Sequence, residues 1–172
     1  MAKTAVAIEI GSSAIRAAHV RRVGPRFELL HAAVRPLGDV KRYPAGQKRD
    51  AAISKLIMEM FGGSLPNCPV VVGLSGRSVM LRFPQAPSVS HSRLETLMAF
   101  EAESQAVGSK GGLAFDFLPL DVTSAGGTRL VALGVAQLST LDSYKVPLVQ
   151  AGAKEFIYSC TSIGLANALS VA

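Results

Sequence analysis

Two apolar runs, Ala5 to Ile10 and Ala14 to Val20, open the chain and are joined by Gly11-Ser12-Ser13. Runs of this length between turn formers predict a buried β-hairpin. Gly24-Pro25 marks a second turn, and Phe27 to Pro36 predicts a third strand, so the opening reads as an antiparallel meander. Leu37 to Gly46 is a polar loop with Gly and Pro. From Gln47 to Phe61, the residues Ala52, Ile53, Leu56, Ile57, Met60 and Phe61 recur at helical spacing, and Gly62-Gly63 ends the helix. Val70 to Leu74 is a short continuous apolar run of the buried-strand type. The order β-β-β-α-β favours a mixed sheet with its helix on one face.

Ser75-Gly76-Arg77-Ser78 reads as a turn and a lobe boundary. Beyond it, Val79 to Phe83 alternates apolar and polar and ends at Pro84. Ser90 or Ser92 caps a helix carrying Leu94, Leu97, Met98, Ala102 and Val107, with Glu95 as capping-box partner of Ser92. Gly108 to Gly112 stops it. Leu113 to Val122 and Arg129 to Ala136 are two strands joined across Ser124-Ala125-Gly126-Gly127. An amphipathic helix from Thr140 to Ala151 follows, with Pro147 a mark against a straight course. Lys154 to Cys160 predicts a strand and Ile163 to Leu169 a last helix. The second lobe is thus a β-α-β-β-α module, and no internal repeat is present.

Composition narrows the class. The 172 residues are 49% hydrophobic and 17% charged, which is globular rather than disordered. No apolar run approaches the roughly 20 residues needed to span a bilayer, and Met1-Ala-Lys-Thr leads straight into a strand, so a soluble intracellular protein is expected. Cys68 and Cys160 lie far apart and predict two reduced, buried thiols. His19, His31 and His91 show no ligand spacing. The net charge of +6 is spread over scattered basic residues without interleaved aromatics, which argues for a solvated face and against nucleic acid.

The first turn also carries candidate chemistry. Gly11 lets a backbone approach a ligand closely, and Ser12 and Ser13 place hydroxyl donors beside backbone N–H groups, an arrangement able to hold phosphate. Glu9 is an acid near the end of an apolar strand, where it needs a partner; a metal bound to a nucleotide would be one. A plain Gly-Ser turn between core strands, with Glu9 at a solvated strand end, accounts for the same residues.

The hairpin Ile8-Glu-Ile-Gly-Ser-Ser-Ala-Ile-Arg16 resembles the first phosphate motif of the actin and heat-shock-chaperone ATPase superfamily, in its FtsA/PilM branch, where PilM proteins carry Asp-Ile-Gly-Ser-Ser-Ser-Val-Lys. Two further stretches support PilM. Arg82-Phe83, a Pro-containing link and the run from Leu94 to Phe100-Glu101-Ala102-Glu103 resemble that family's strand, connector and Glu-Ala-Glu helix. Leu148-Val149-Gln150-Ala151-Gly152, a strand and Gly164-Leu165-Ala166-Asn167-Ala168-Leu169 resemble its Ala-Gly helix end, strand and Ala-rich helix.

The resemblance implies an actin-like (ribonuclease H-like) α/β fold: a mixed-sheet lobe at 1–77 and 153–172, with an inserted β-α-β-β-α interaction subdomain at 78–152. It implies a cofactor site at Glu9, Gly11, Ser12, Ser13 and Arg16, with Glu9 at the place of the acid that holds magnesium through water. The matched chain corresponds to the N-terminal half of such proteins. ATP and magnesium are therefore expected only in a full-length protein, and none for this chain alone. The implied function is a cytoplasmic adaptor of type IV pilus, secretion or competence assembly at the inner face of the bacterial inner membrane. It would bind the short cytoplasmic tail of a PilN-like membrane protein, with Val79, Leu81, Phe83, Leu94, Leu97 and Met98 as groove walls. Self-association is a further partnership. A nucleotide-binding actin-like ATPase and an FtsA-like divisome filament protein are the alternatives. Glu9 for Asp, Arg16 for Lys, and Gln105-Ala106-Val107-Gly108 where the family has Pro-Phe are departures from the pattern.

Overall fold

A computed structural model describes residues 3–104, 111–123 and 126–171. The chain divides into two units, Met1–Ser75 with Asp142–Ala172, and Gly76–Leu141.

The first unit is a five-stranded mixed sheet. Strands β1 (Lys3–Ile10), β2 (Ala14–Val23) and β3 (Arg26–Pro36) form the meander; β4 (Val70–Leu74) and β9 (Phe156–Cys160) run parallel to β1, in the order β3-β2-β1-β4-β9. Parallel pairing of β1 with β4 requires a crossover, which α1 (Gln47–Met60) supplies after a 3-10 turn at Gly38–Arg42. Strand periodicity sends Val6, Ile8 and Ile10 to one face, where they are buried beside Ile15, Ala17, Val70 and Val72. Helix α1 covers that face with Ile53, Ile57 and Met60, one per turn. His31 fixes the contact: its Nε2 meets the Met60 carbonyl at 2.8 Å, and its ring packs on Phe61 at 5.5 Å. A register shift between His19 and Val20 leaves Leu30 as an extra residue in β3.

The second unit is a sheet centred on β8 (Thr128–Gln137), with β7 (Leu113–Thr123) on one side and β5 (Met80–Arg82) and β6 (Gln85–Pro87) in succession on the other. Val131, Leu133 and Val135 point from alternate β8 positions into α2 (His91–Ser104), which answers with Leu94, Met98 and Ala102. The strand expected at Val79–Phe83 is shorter and resumes as β6. Pro84 has no N–H to continue the ladder, yet its carbonyl accepts the Val131 amide at 3.0 Å and carries the pairing across the break.

Several boundaries differ from the sequence reading. The Ser90 carbonyl accepts the Leu94 amide, so α2 starts at His91 and Glu95 lies beyond the third position that a capping box needs. The expected helix end at Val107, and Ser124 and Ala125 of the expected turn, lie outside the described residues. Helix α3 (Leu138–Gln150) runs through Pro147, which is buried with Tyr144 and Leu148. Most of α3 belongs to the first unit rather than to the insertion: the second unit ends at Leu141, and its core cluster draws on no α3 side chain. Cys68 and Cys160 are free thiols but only half-buried: Cys68 lies in the connection before β4, and Cys160 is the last residue of β9. After β9, α4 (Thr161–Val171) is short, uncharged and exposed, with Leu165 and Leu169 open to solvent. No helix among the described residues is long and apolar enough to cross a membrane.

Candidate functional site

The three-residue turn places β1 and β2 in a register where Ile10 faces Ile15 and Glu9 faces Arg16. Residues directly opposite in an antiparallel pair share a face, and the two side chains meet: Arg16 Nη1 lies 3.2 Å from Glu9 Oε1. The partner that Glu9 needs is therefore inside the hairpin. Gly11 closes the turn by donating its amide to the Ala14 carbonyl at 2.9 Å, and the Ser13 carbonyl accepts the Leu37 amide at 2.8 Å. A Cβ at position 11 would stand 3.0 Å from that Ala14 oxygen and 3.5 Å from Arg16 Nη1. The glycine thus serves the turn's own closure. Ser12 and Ser13 are exposed at its tip.

Magnesium at Glu9 would compete with the Arg16 guanidinium for the carboxylate. The ion prefers near-octahedral oxygen donors and a carboxylate free to hold its water shell. Glu9 is already neutralised by a guanidinium, and no group of three or more His, Cys, Asp or Glu side chains able to hold a metal occurs among the described residues.

The carboxyl ends of the three parallel strands converge beside this turn. Gly73 in β4 pairs in register with Glu9 on one side and Ser159 on the other. A Cβ on Gly73 would meet Thr161 Cγ2 at 2.9 Å, while Thr161 Oγ1 donates to the Leu74 carbonyl at 3.1 Å. Cys160 Sγ and Ser162 Oγ are 2.9 Å apart. A concavity of about 630 Å³ runs from Glu9, Arg16, Gly73 and Thr161 over the apolar sheet face toward Ala32 and Val34. Sequence reasoning missed Gly73 and Thr161. The available signal was a glycine inside an otherwise unbroken apolar strand, which marks close approach of a neighbour.

On the opposite face of the same sheet, Tyr158 shares register with Val72. Burial, and after it the Asp142 carboxylate, raises its phenol above the ordinary value of 10.0.

The residues expected to receive a partner separate into two groups. Leu94 and Met98 are core of the second unit, 2% and 3% exposed, because the helical period turns them onto β8; they have no surface to offer. Phe83 and Leu97 are open to solvent at 52% and 41%, and Val79 and Leu81 are half-buried. Phe100, one turn beyond Leu97, is more open still, at 70%.

The first unit is a mixed-sheet α/β lobe, as the resemblance implies. No protein-family model matches the chain, and no curated protein matches it. Among solved structures, a chain of a PilM–PilN type IV pilus biogenesis complex is 24% identical with a TM-score of 0.71, over 91% of this chain and 47% of that one. The cytoplasmic domain of EpsL, an inner membrane component of the type II secretion system of Vibrio cholerae, is 14% identical with a TM-score of 0.52, over 90% of this chain and 56% of that one. This chain therefore has the fold seen in PilM–PilN across both of its units, and spans about half the length of the solved chains it matches.

Proposed function

We propose that the chain forms the N-terminal part of a PilM-like cytoplasmic adaptor for type IV pilus assembly or a related secretion or competence system. Its task is to hold the short cytoplasmic tail of a PilN-like inner-membrane protein. The observation that carries this reading is the fold shared over nine-tenths of the chain with a protein from a PilM–PilN complex. The similarity to an inner-membrane secretion component points to the same class of assembly. An extended tail gains affinity from main-chain hydrogen bonds and a few apolar anchors. The anchors on offer in the second unit are the exposed Phe83 and Leu97; Val79 and Leu81 are half-buried, and Leu81 pairs with Gly134 on the sheet face turned away from α2.

In this reading the hairpin turn is scaffold. Glu9 and Arg16 satisfy each other, and the Gly11 amide is spent on Ala14, so the exposed Ser12 and Ser13 are what the turn still offers an anion. Pull-down and titration with the tail peptide of the organism's PilN-like protein test the assignment. Absence of binding, together with intact pili after deletion of the gene, overturns it.

A further inference from the structure

The fold gathers cations that the sequence leaves scattered. From Arg35 to Arg49 the chain carries Arg35, Lys41, Arg42, Lys48 and Arg49 against Asp39, a net of +4 out of the chain's +6. Counting Asp50, half-buried in the first turn of α1, leaves +3, still half of the total. The backbone folds this segment onto itself. Leu37, 2% exposed, anchors it through an amide donated to the Ser13 carbonyl. The Val40 and Tyr43 amides close successive turns, and Lys48 Nζ returns over the Tyr43 ring at 4.7 Å. With the apolar anchor inside, Arg35, Lys41, Arg42 and Lys48 are left exposed.

Of the five cations only Arg42 has an acid, Asp39 at 3.5 Å, and both of those side chains stand in water. Arg35, Lys41, Lys48 and Arg49 have no acidic partner among the described residues. Arg49 Nε is buried without a hydrogen bond. Like charges gathered in this way repel one another and raise the local concentration of anions. The segment leads into α1 on the sheet face which that helix covers, whereas α4 lines the opposite face.

We infer that this basic segment is a contact for an anionic bilayer, with Lys41 and Lys48 over lipid phosphates. The choice of a bilayer rests on the proposed function, which brings the chain to an inner membrane. A nucleic acid suits the segment less well: Tyr43, its one aromatic, is half-buried under Lys48 and offers no free ring to stack a base. Each basic residue near such a membrane surface is worth about fivefold in binding. A tail held by the second unit and lipid held by this segment reinforce each other, since the first contact raises the effective concentration of the second.

Co-sedimentation with vesicles, in the absence of any tail peptide, tests the inference. The wild-type protein should bind vesicles of phosphatidylcholine with phosphatidylglycerol, ignore those of phosphatidylcholine alone, and be released by high salt. Lys41→Ala with Lys48→Ala should weaken binding about twenty-fivefold, two factors of five. Lys145→Ala with Lys154→Ala removes the same charge from exposed positions outside the segment and should leave binding within about twofold. All four positions are exposed, so unchanged melting shows that the variants fold. No binding to the anionic vesicles overturns the inference, as does equal loss in both double variants, which makes net charge the cause. Tighter binding to duplex DNA at the same salt assigns the segment to nucleic acid and overturns it too. The same vesicles are offered to a protein that continues past Ala172 to the length of the solved chains; binding confined to the shorter chain means that the segment is covered and also overturns it. Lipid binding without tail binding overturns the proposed function alone, and tail binding without lipid binding overturns this inference alone.

Discussion

Glu9 and Arg16 face each other across the first hairpin and meet at 3.2 Å, so the acid and the base of the turn neutralise one another. With side chains one-third and one-half exposed, the pair belongs to the class worth about 0.2–1 kcal/mol. Arg16→Ala should lower stability by an amount in that range, and the loss should shrink in high salt. Urea unfolding at two salt concentrations measures it. Magnesium should leave the wild-type melting temperature unchanged; a rise of several degrees would show that the ion displaces the guanidinium.

Leu94 and Leu97 lie one turn apart on α2 yet do opposite work. Leu94 is sealed against Val131, Leu133 and Val135, whereas Leu97 faces solvent. Leu94→Ala should cost about 2–5 kcal/mol, as buried large-to-small changes do. Leu97→Ala should stay within about 0.5 kcal/mol. Denaturant titration of the two variants reads the contrast directly, and equal losses would misplace the helix.

Gly73 and Thr161 form the tightest approach at the strand ends. Gly73→Ala drives a methyl to 2.9 Å from Thr161 Cγ2 and should cost about 1–3 kcal/mol through overpacking. Thr161→Ser in the same background deletes the offending carbon and keeps the hydroxyl donated to the Leu74 carbonyl. The double variant should recover most of the loss in thermal melts. No recovery would mean that the strain lies elsewhere.

Tyr158 sets an alkaline limit. Burial and then Asp142 favour its neutral phenol, so its pKa is higher folded than unfolded. The stability it contributes is complete below the ordinary value near 10.0 and is lost as pH rises through the raised one. Asp142→Asn should lower the phenol's pKa without fully restoring it, since burial is the larger cause. Absorbance titration of the phenolate checks this, and an alkaline stability limb unchanged by Tyr158→Phe contradicts it.

The meander, α1 and β4 were legible in the sequence because local signals agreed: turn formers at Gly11-Ser12-Ser13 and Gly24-Pro25, and helical spacing up to Met60. The Glu9–Arg16 pair was also within reach, since a turn centred between Ser12 and Ser13 puts those two residues opposite each other. The strand's sequence alone leaves a metal open as the partner of Glu9; the register supplies Arg16. The sorting of Leu94 and Met98 from Leu97 depended on which side of α2 meets β8, and spacing alone does not say which side is covered. The break at Pro84 is a backbone donor problem that alternation conceals. The assignment of α3 to the first unit follows from long-range packing, which leaves no local mark.

The proposed function has the second unit hold a membrane protein's tail by apolar anchors, Phe83 and Leu97. Isothermal titration of the protein with the cytoplasmic tail peptide of the PilN-like protein tests it most directly. Saturable binding is predicted, weakened at least tenfold by Phe83→Asp or Leu97→Asp, which is about 1.4 kcal/mol, and unchanged by magnesium and ATP. Absence of binding, or binding indifferent to both substitutions, would contradict the account.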